Sequence, residues 1–203
     1  MGKDLSVLFK IGYGLYVVTC NDGNKDNGLI INTVMQVTNE PAKIGVAINK
    51  NNYSSDVISK MKKMNVNILN TDAPFALFER FGFQSGRDVN KFDGYDYDHS
   101  KNGLAVLNKY INSYISISVV DVIDLETHYF FIGNIEEAKV INDKETMSYD
   151  YYQKNVKPKP QMKKEKNQYV CLVCGYVYEG DELPEDFVCP LCKHDASAFE
   201  KIS

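Results

Sequence analysis

The first 168 residues of this 203-residue chain contain a single cysteine, Cys20, and the other four fall after them. The body of the chain therefore has no disulfide framework and must be held by its core alone. No run of about 18 uncharged apolar residues occurs, which argues against a membrane-spanning helix. The opening stretch MGKDLSVLFKIGYGL carries charges where a secretory signal would be apolar, so a cytoplasmic location is expected. MGKDLS fits the M-G-x-x-x-S myristoylation pattern, but nothing nearby supplies a second anchor and no membrane association is expected. Internal repeats and low-complexity tracts are missing. So is a G-x-G-x-x-G turn between a strand and a helix, which argues against a Rossmann nucleotide site.

Charge of either sign is modest overall, with a net of −4, so nucleic acid is not an expected partner. Its distribution is uneven. Residues 1–150 carry 15 Lys/Arg against 19 Asp/Glu, residues 151–167 carry six Lys against one Glu, and residues 168–203 carry two Lys against seven Asp/Glu. This predicts a domain over 1–155, a basic tether over 156–167 kept extended by Pro158 and Pro160, and an acidic module over 168–203.

With 44% apolar and 12% aromatic residues the chain can bury a substantial core. YGLYVVTC (13–20) reads as a strand, NDGNKDNG (21–28) as a turn, and LIINTVMQV as a second extended segment that closes a hairpin. KIGVAI (43–48) is a short buried strand. Val57, Ile58, Met61 and Met64 have helical spacing, with NKNN as cap material ahead of them. NVNIL is a strand and PFALFERF a short helix opened by Pro74. The polar stretch 82–103 is long for a structureless loop, which marks it as functional or as containing unrecognised elements. YINSYISISVVDVIDLETHYFFIGNIEEAKVI gives two or three strands with a possible bend at Gly133, and SYDYYQKN a short closing helix. The expected fold is mainly β with a few helices, a barrel-like α+β domain followed by a small module.

Cys171, Cys174, Cys189 and Cys192 form the pattern C-x2-C-x14-C-x2-C. Two such turns can aim four thiolates at one ion, and spacing alone leaves both zinc and iron open. Cys20, at the end of an apolar strand, reads as a small buried hydrophobe. YVCLVCGYVYEG with ELPEDFVCPLCKHDASAFE resembles the rubredoxin family, and that resemblance implies a single iron on the four cysteines. Gly175 follows the first pair where a positive φ is needed, whereas Lys193 stands where the second turn usually has glycine, at a cost in strain if its φ is positive. Phe187 stands where tryptophan is usual. Tyr169, Tyr176, Phe187 and Phe199 are the expected small core beside the metal.

IGYGLYVVTCNDGNKDNGLIINTVMQVTNEPAKIGVAINKNNYSSDVI resembles the flavin reductase family of FMN-binding split β-barrels, and NVNIL, FGFQSGRDVNKF and THYFFIGNIEEA extend the likeness. The resemblance implies FMN beside Asn27, Gly28, Leu29, Ile30, Ile31, Asn32 and Thr33. It implies a phosphate near Asn49, Lys50, Asn51, Tyr53, Ser54 and Ser55 at a helix start, and further contacts from Ser85, Arg87 and Lys91. His128 matches a histidine near flavin and nicotinamide, although as a bare residue it reads better as a strand histidine with satisfied bonds. The two resemblances together imply a homodimeric oxidoreductase that takes electrons from NAD(P)H through FMN to iron, with a flavodiiron protein as acceptor. A plain flavin or ferric reductase with a structural zinc tail, and a non-catalytic FMN/iron carrier, are the rival readings.

Overall fold

The computed structural model describes residues 5–158 and 167–202. The first four residues of the myristoylation-like start, and Pro160 with most of the basic tether, lie outside the described residues. The chain separates into two compact units, Met1–Lys154 and Asn155–Ser203.

In the larger unit a 3-10 helix (Leu5–Lys10) precedes β1 (Tyr16–Asn21) and β2 (Asp26–Ile31), which are joined by a tight turn. Asp22 shapes that turn by accepting from the Asn24 and Lys25 amides at 2.8 and 3.0 Å, as short polar side chains do in turns. Next come β3 (Val34–Asn39), β4 (Ala42–Asn49), α1 (Tyr53–Met61), β5 (Lys63–Leu69) and α2 (Phe75–Gly82). A small hairpin, β6 (Tyr97–His99) and β7 (Ala105–Leu107), precedes the two long strands β8 (Ile111–Leu125) and β9 (His128–Val140). A short helical turn from Tyr149 ends the unit, as SYDYYQKN predicts.

Seven strands form one antiparallel sheet in the order β2-β1-β5-β8-β9-β4-β3. β2 and β3 are its two edges, yet only Asn32 and Thr33 separate them in the chain. With two linking residues Ile31 and Val34 lie at most about 10 Å apart, so the sheet must curl until these two edge ends come together, and the result is a split barrel. The continuous strand expected over LIINTVMQV is thus broken. Thr33 leaves the register of β2 and bonds β4 instead, through its carbonyl to Ala47 N at 3.1 Å and its hydroxyl to Ala47 O at 2.6 Å.

The barrel interior is filled by Val18, Leu29, Val46, Ile48, Met64, Val66, Ile117 and Phe131, with Val57 and Ile58 of α1 packed among them. Each such side chain contributes about 1.5–3 kcal/mol on burial. Cys20 is fully buried in this cluster, and burial pushes its thiol up to about 12, as expected of a structural cysteine. β9 runs through Gly133 without interruption, where the sequence allowed a bend. A Cβ at Gly133 would lie 2.2 Å from Ile117 Cγ2 and 2.7 Å from Ser118 O, so the glycine serves close approach of β8 and β9.

The segment 82–103 is less irregular than its composition suggests, because it contains β6. Phe92, Tyr95 and Tyr97 of this segment pack with Phe81 of α2 in an aromatic group with centroid separations of 4.7–6.2 Å. β7 is tied to the barrel by buried bonds from Thr19 Oγ1 and Asn65 Nδ2 to Ala105 O and from Leu107 N to Asn67 Oδ1.

The small unit is a three-stranded antiparallel sheet in the order β11-β10-β12, where β10 is Gln168–Cys171, β11 Val177–Glu179 and β12 Phe199–Lys201. Phe187 lies 4.7 Å from Tyr178 and 5.3 Å from Phe199, ring centre to ring centre. Tyr178 therefore joins the aromatic core expected from Tyr169, Tyr176, Phe187 and Phe199.

A polar cluster at α1 and a four-sulfur centre

α1 begins behind Asn52, which has cap geometry (φ −73, ψ 132) but gives no side-chain cap bond. Its first turn carries Ser54 and Ser55, both buried. Asn27 reaches from β2 to donate to Ser54 Oγ at 2.7 Å. Asn27 Oδ1 and Ser55 Oγ are buried with no partner. Unpartnered buried oxygens cost about 1–3 kcal/mol each, which fits a site completed by a donor-bearing or hydrated ligand at an open helix start.

The loop 83–96 packs against the same residues. Gly86 backs directly on Asn27, and Lys25 Nζ donates to Gly86 O at 2.6 Å. Ser85 Oγ accepts from Arg87 N at 3.1 Å. Arg87 reaches α1, donating to Asp56 Oδ2 at 2.8 Å and Asn51 O at 3.3 Å, and lies over the Tyr53 ring. Tyr53 donates to Asp22 Oδ2 at 2.5 Å, and that bond is the main reason the Asp22 carboxyl sits at about 2. Asp22 and Gly86 carry no signal that the sequence reading picked out, since each reads as an ordinary turn residue.

Asn27, Asn51, Tyr53, Ser54, Ser55, Ser85 and Arg87 are thus brought together. Gly28, Leu29, Ile30 and Ile31 continue along β2 into the Asn32–Thr33 link, with Gly28, Leu29 and Ile31 buried. The cations are less free than the sequence suggests. Lys91 is buried, and its Nζ donates to Gly28 O at 2.8 Å and Phe81 O at 3.0 Å. Burial lowers it to about 8, and in this arrangement it pins the loop to β2 and α2. Lys50 is paired with Asp124 Oδ1 at 2.5 Å and lies over the Tyr129 ring. His128 opens β9 opposite Asn49, its Nδ1 2.9 Å from Thr127 Oγ1. Asn49 itself accepts from Asn51 N at 2.9 Å.

In the small unit, Sγ of Cys171, Cys174, Cys189 and Cys192 all lie within 4.8 Å of one another. The pairs Cys171–Cys192 and Cys174–Cys189 are each 3.5 Å apart. A tetrahedron with metal–sulfur bonds of about 2.3 Å has edges of about 3.8 Å, so the cluster fits a four-thiolate ion. Both turns are built alike. Gly175 N donates to Cys171 O at 2.8 Å and Lys193 N to Cys189 O at 2.9 Å. Gly175 has φ +83 and Lys193 φ +62, so the second turn does carry the strain expected of a side chain there. Donation from Cys174 and Cys192 holds Cys171 well below the usual thiol range, and the contact with Cys171 pushes Cys174 and Cys192 up. Four thiolates this close coexist only around a cation.

Two family models match this chain: the flavin reductase like domain over residues 8–159 and the rubrerythrin, rubredoxin-like domain over residues 169–200. The fold and the two sites define a flavin reductase-like oxidoreductase domain carrying a rubredoxin-like metal domain. The chain belongs to the flavin reductase-like family. It is 34% identical to the high molecular weight rubredoxin of Moorella thermoacetica, over 98% of this chain and 100% of that one. It is also 34% identical to the ferric-chelate reductase (NAD(P)H) of Archaeoglobus fulgidus, over 73% of this chain and 89% of that one. Among solved structures, flavin reductase PheA2 superposes with a TM-score of 0.62 at 25% identity, over 73% of this chain and 93% of that one. No helix among the described residues is long and apolar enough to cross a membrane.

Proposed function

We propose that the chain is a cytoplasmic NAD(P)H-dependent oxidoreductase that passes electrons through FMN to an iron in its four-cysteine domain and on to an external acceptor. The observation that carries this reading is the combination, in one chain, of a helix start whose neighbouring Asn27 Oδ1 and Ser55 Oγ are buried without a partner and a four-sulfur centre with tetrahedral spacing. The Moorella relative, similar over nearly its whole length, supports the two-domain relay, and the Archaeoglobus relative supports nicotinamide as donor.

Flavin is the group that takes two electrons as hydride from nicotinamide and gives them up singly. In this reading Ser54, Ser55 and the free amides of α1 take the phosphate, with Asn51, Tyr53 and Arg87 beside it. Asn27 orients the ring's polar edge, and Gly28, Leu29, Ile30, Ile31, Asn32 and Thr33 line its length. Arg87 exchanges its bond to Asp56 for the phosphate, and Lys50 does the same with Asp124. Lys91 fixes the loop. His128, at the strand end beside Asn49, positions the nicotinamide. Cys171, Cys174, Cys189 and Cys192 hold iron. A flavodiiron protein is the acceptor that suits a rubredoxin-type donor. A homodimer is supported by the exposed edge strand β3 and by exposed Val120, Ile123 and Leu125 on β8.

An anaerobic visible spectrum with metal analysis tests the reading. Flavin bands overlaid with thiolate-to-iron charge transfer, both bleached by NADH or NADPH, are expected. Zinc in place of iron moves the tail to a structural role and leaves a plain flavin or ferric reductase. Flavin that neither nucleotide reduces makes the chain a passive carrier. Removing residues 168–203 abolishes reduction of the acceptor and spares reduction of FMN. Full acceptor reduction by the shortened chain overturns the relay.

A further inference from the structure

We infer that Lys157, which lies outside the four-cysteine motif, sets the reduction potential of the metal centre by holding its ammonium against the first C-x-x-C turn. The inference builds on the proposal that iron occupies the four sulfurs.

Lys157 belongs to the same compact unit as the cysteines but lies fourteen residues before Cys171. Its Nζ donates to Leu172 O at 3.0 Å. That carbonyl lies between Cys171 and Cys174, inside the turn that presents both sulfurs. The stem crosses the turn at Gly175: a Cβ there would come within 2.8 Å of Lys157 Cε. Gly175 thus serves both a φ of +83 and the close passage of this lysine. The ammonium is half-buried, and its burial is opposed by attraction to Cys174, Cys171 and Cys192. The ammonium is therefore held against the turn that presents Cys171 and Cys174, and not at an isolated carbonyl.

The electron count gives the sign. Four thiolates on ferric iron carry a net −1, and one added electron, supplied by reduced flavin or a chemical reductant, takes the centre to −2 with no bond broken and no proton gained. A fixed positive charge nearby stabilises the −2 state more than the −1 state, and the effect is largest where water is partly excluded. Lys157 should therefore raise the potential. Because the lysine lies fourteen residues ahead of Cys171, the tail's potential depends on a residue outside the motif itself.

The test is a redox titration of the full iron-loaded chain, followed by the visible absorption of the iron centre, for the native protein, K157R, K157M and K157E. Iron content is measured on each sample first. At a fixed poise, K157M is expected to raise the oxidised-to-reduced ratio about three- to tenfold, about 30–60 mV for a one-electron couple. K157E should raise it further, and K157R should stay within about twofold of native. K157M at the native potential, or K157R displaced as far as K157M, overturns the inference and leaves the relay intact. If neither K157M nor K157E holds iron at native stoichiometry, Lys157 is a structural tie and the inference fails. A native chain that binds no iron overturns both the inference and the iron reading.

Discussion

Asn27 donates to Ser54 Oγ at 2.7 Å across the gap between β2 and α1, while its own Oδ1 stays buried and unpartnered. One half of the amide builds the fold and the other half has no partner among the described residues. Ser55, next along the helix, has the same unused capacity in its hydroxyl. This separates binding from stability. S55A removes a buried hydroxyl that bonds nothing, so the FMN-free protein should melt at the native temperature or slightly above it. FMN affinity should fall by about 1–2 kcal/mol, roughly five- to thirtyfold in Kd. N27L should weaken FMN as well and also cost the apo-protein about 1 kcal/mol, because Ser54 loses its donor. Calorimetric melting and flavin fluorescence titration give the two readouts. Unchanged FMN affinity in S55A would place the phosphate elsewhere.

Gly86 controls the same amide from the other side. A Cβ there would sit 2.2 Å from Asn27 Oδ1, and Asn27 is too buried to move aside freely. G86A should weaken FMN at least tenfold while leaving the iron content of the tail at the native value. Metal analysis and flavin titration on one preparation decide it. A G86A protein with native FMN affinity would show that Asn27 does not face the flavin.

Much of this was legible in the sequence, and the gaps have identifiable causes. The C-x2-C pairs announce themselves because metal geometry demands a fixed local spacing, and Gly175 and Lys193 take the backbone conformations their positions imply. The strands β1, β4, β5, β8 and β9 show as apolar runs because the barrel buries them. The break at Asn32–Thr33 does not show, because it is set by the need to join two sheet edges and by bonds to Ala47, far away in sequence. The pairing of Lys50 with Asp124 and the burial of Lys91 under Gly28 and Phe81 carbonyls are likewise long-range. A cation in a loop has no local mark telling whether it faces a ligand or its own backbone.

Lys91 gives the larger unit a pH dependence of predictable sign. Burial lowers it from 10.5 to about 8 in the folded protein. Between those values the unfolded chain holds a proton that the folded chain has released, so stability rises with pH across that window. Below pH 8 the full cost of burying the ammonium applies. Buried tyrosines, Tyr95 among them, oppose the trend once the unfolded chain begins to ionise near pH 10. The difference between native and K91M melting curves over pH 8–10 isolates the lysine. The native protein should gain stability across that range relative to K91M, and parallel curves would mean that Lys91 keeps its proton there.

The two metal turns make opposite predictions at equivalent positions. Lys193 holds φ +62, which costs a side-chain-bearing residue about 1 kcal/mol, whereas Gly175 holds φ +83 without that cost. K193G relieves the strain, and the greater freedom of glycine in the unfolded chain offsets part of the gain, leaving the metal-loaded tail about 0.5 kcal/mol more stable. G175A adds strain and also drives a Cβ to 2.8 Å from Lys157 Cε, so it should cost about 1–2 kcal/mol. Metal release to a chelator, followed by loss of the centre's visible absorption, ranks the three proteins. K193G should release metal more slowly than native and G175A faster. K193G releasing it faster than native would mean that the Lys193 side chain supports the turn in a way that outweighs its backbone strain.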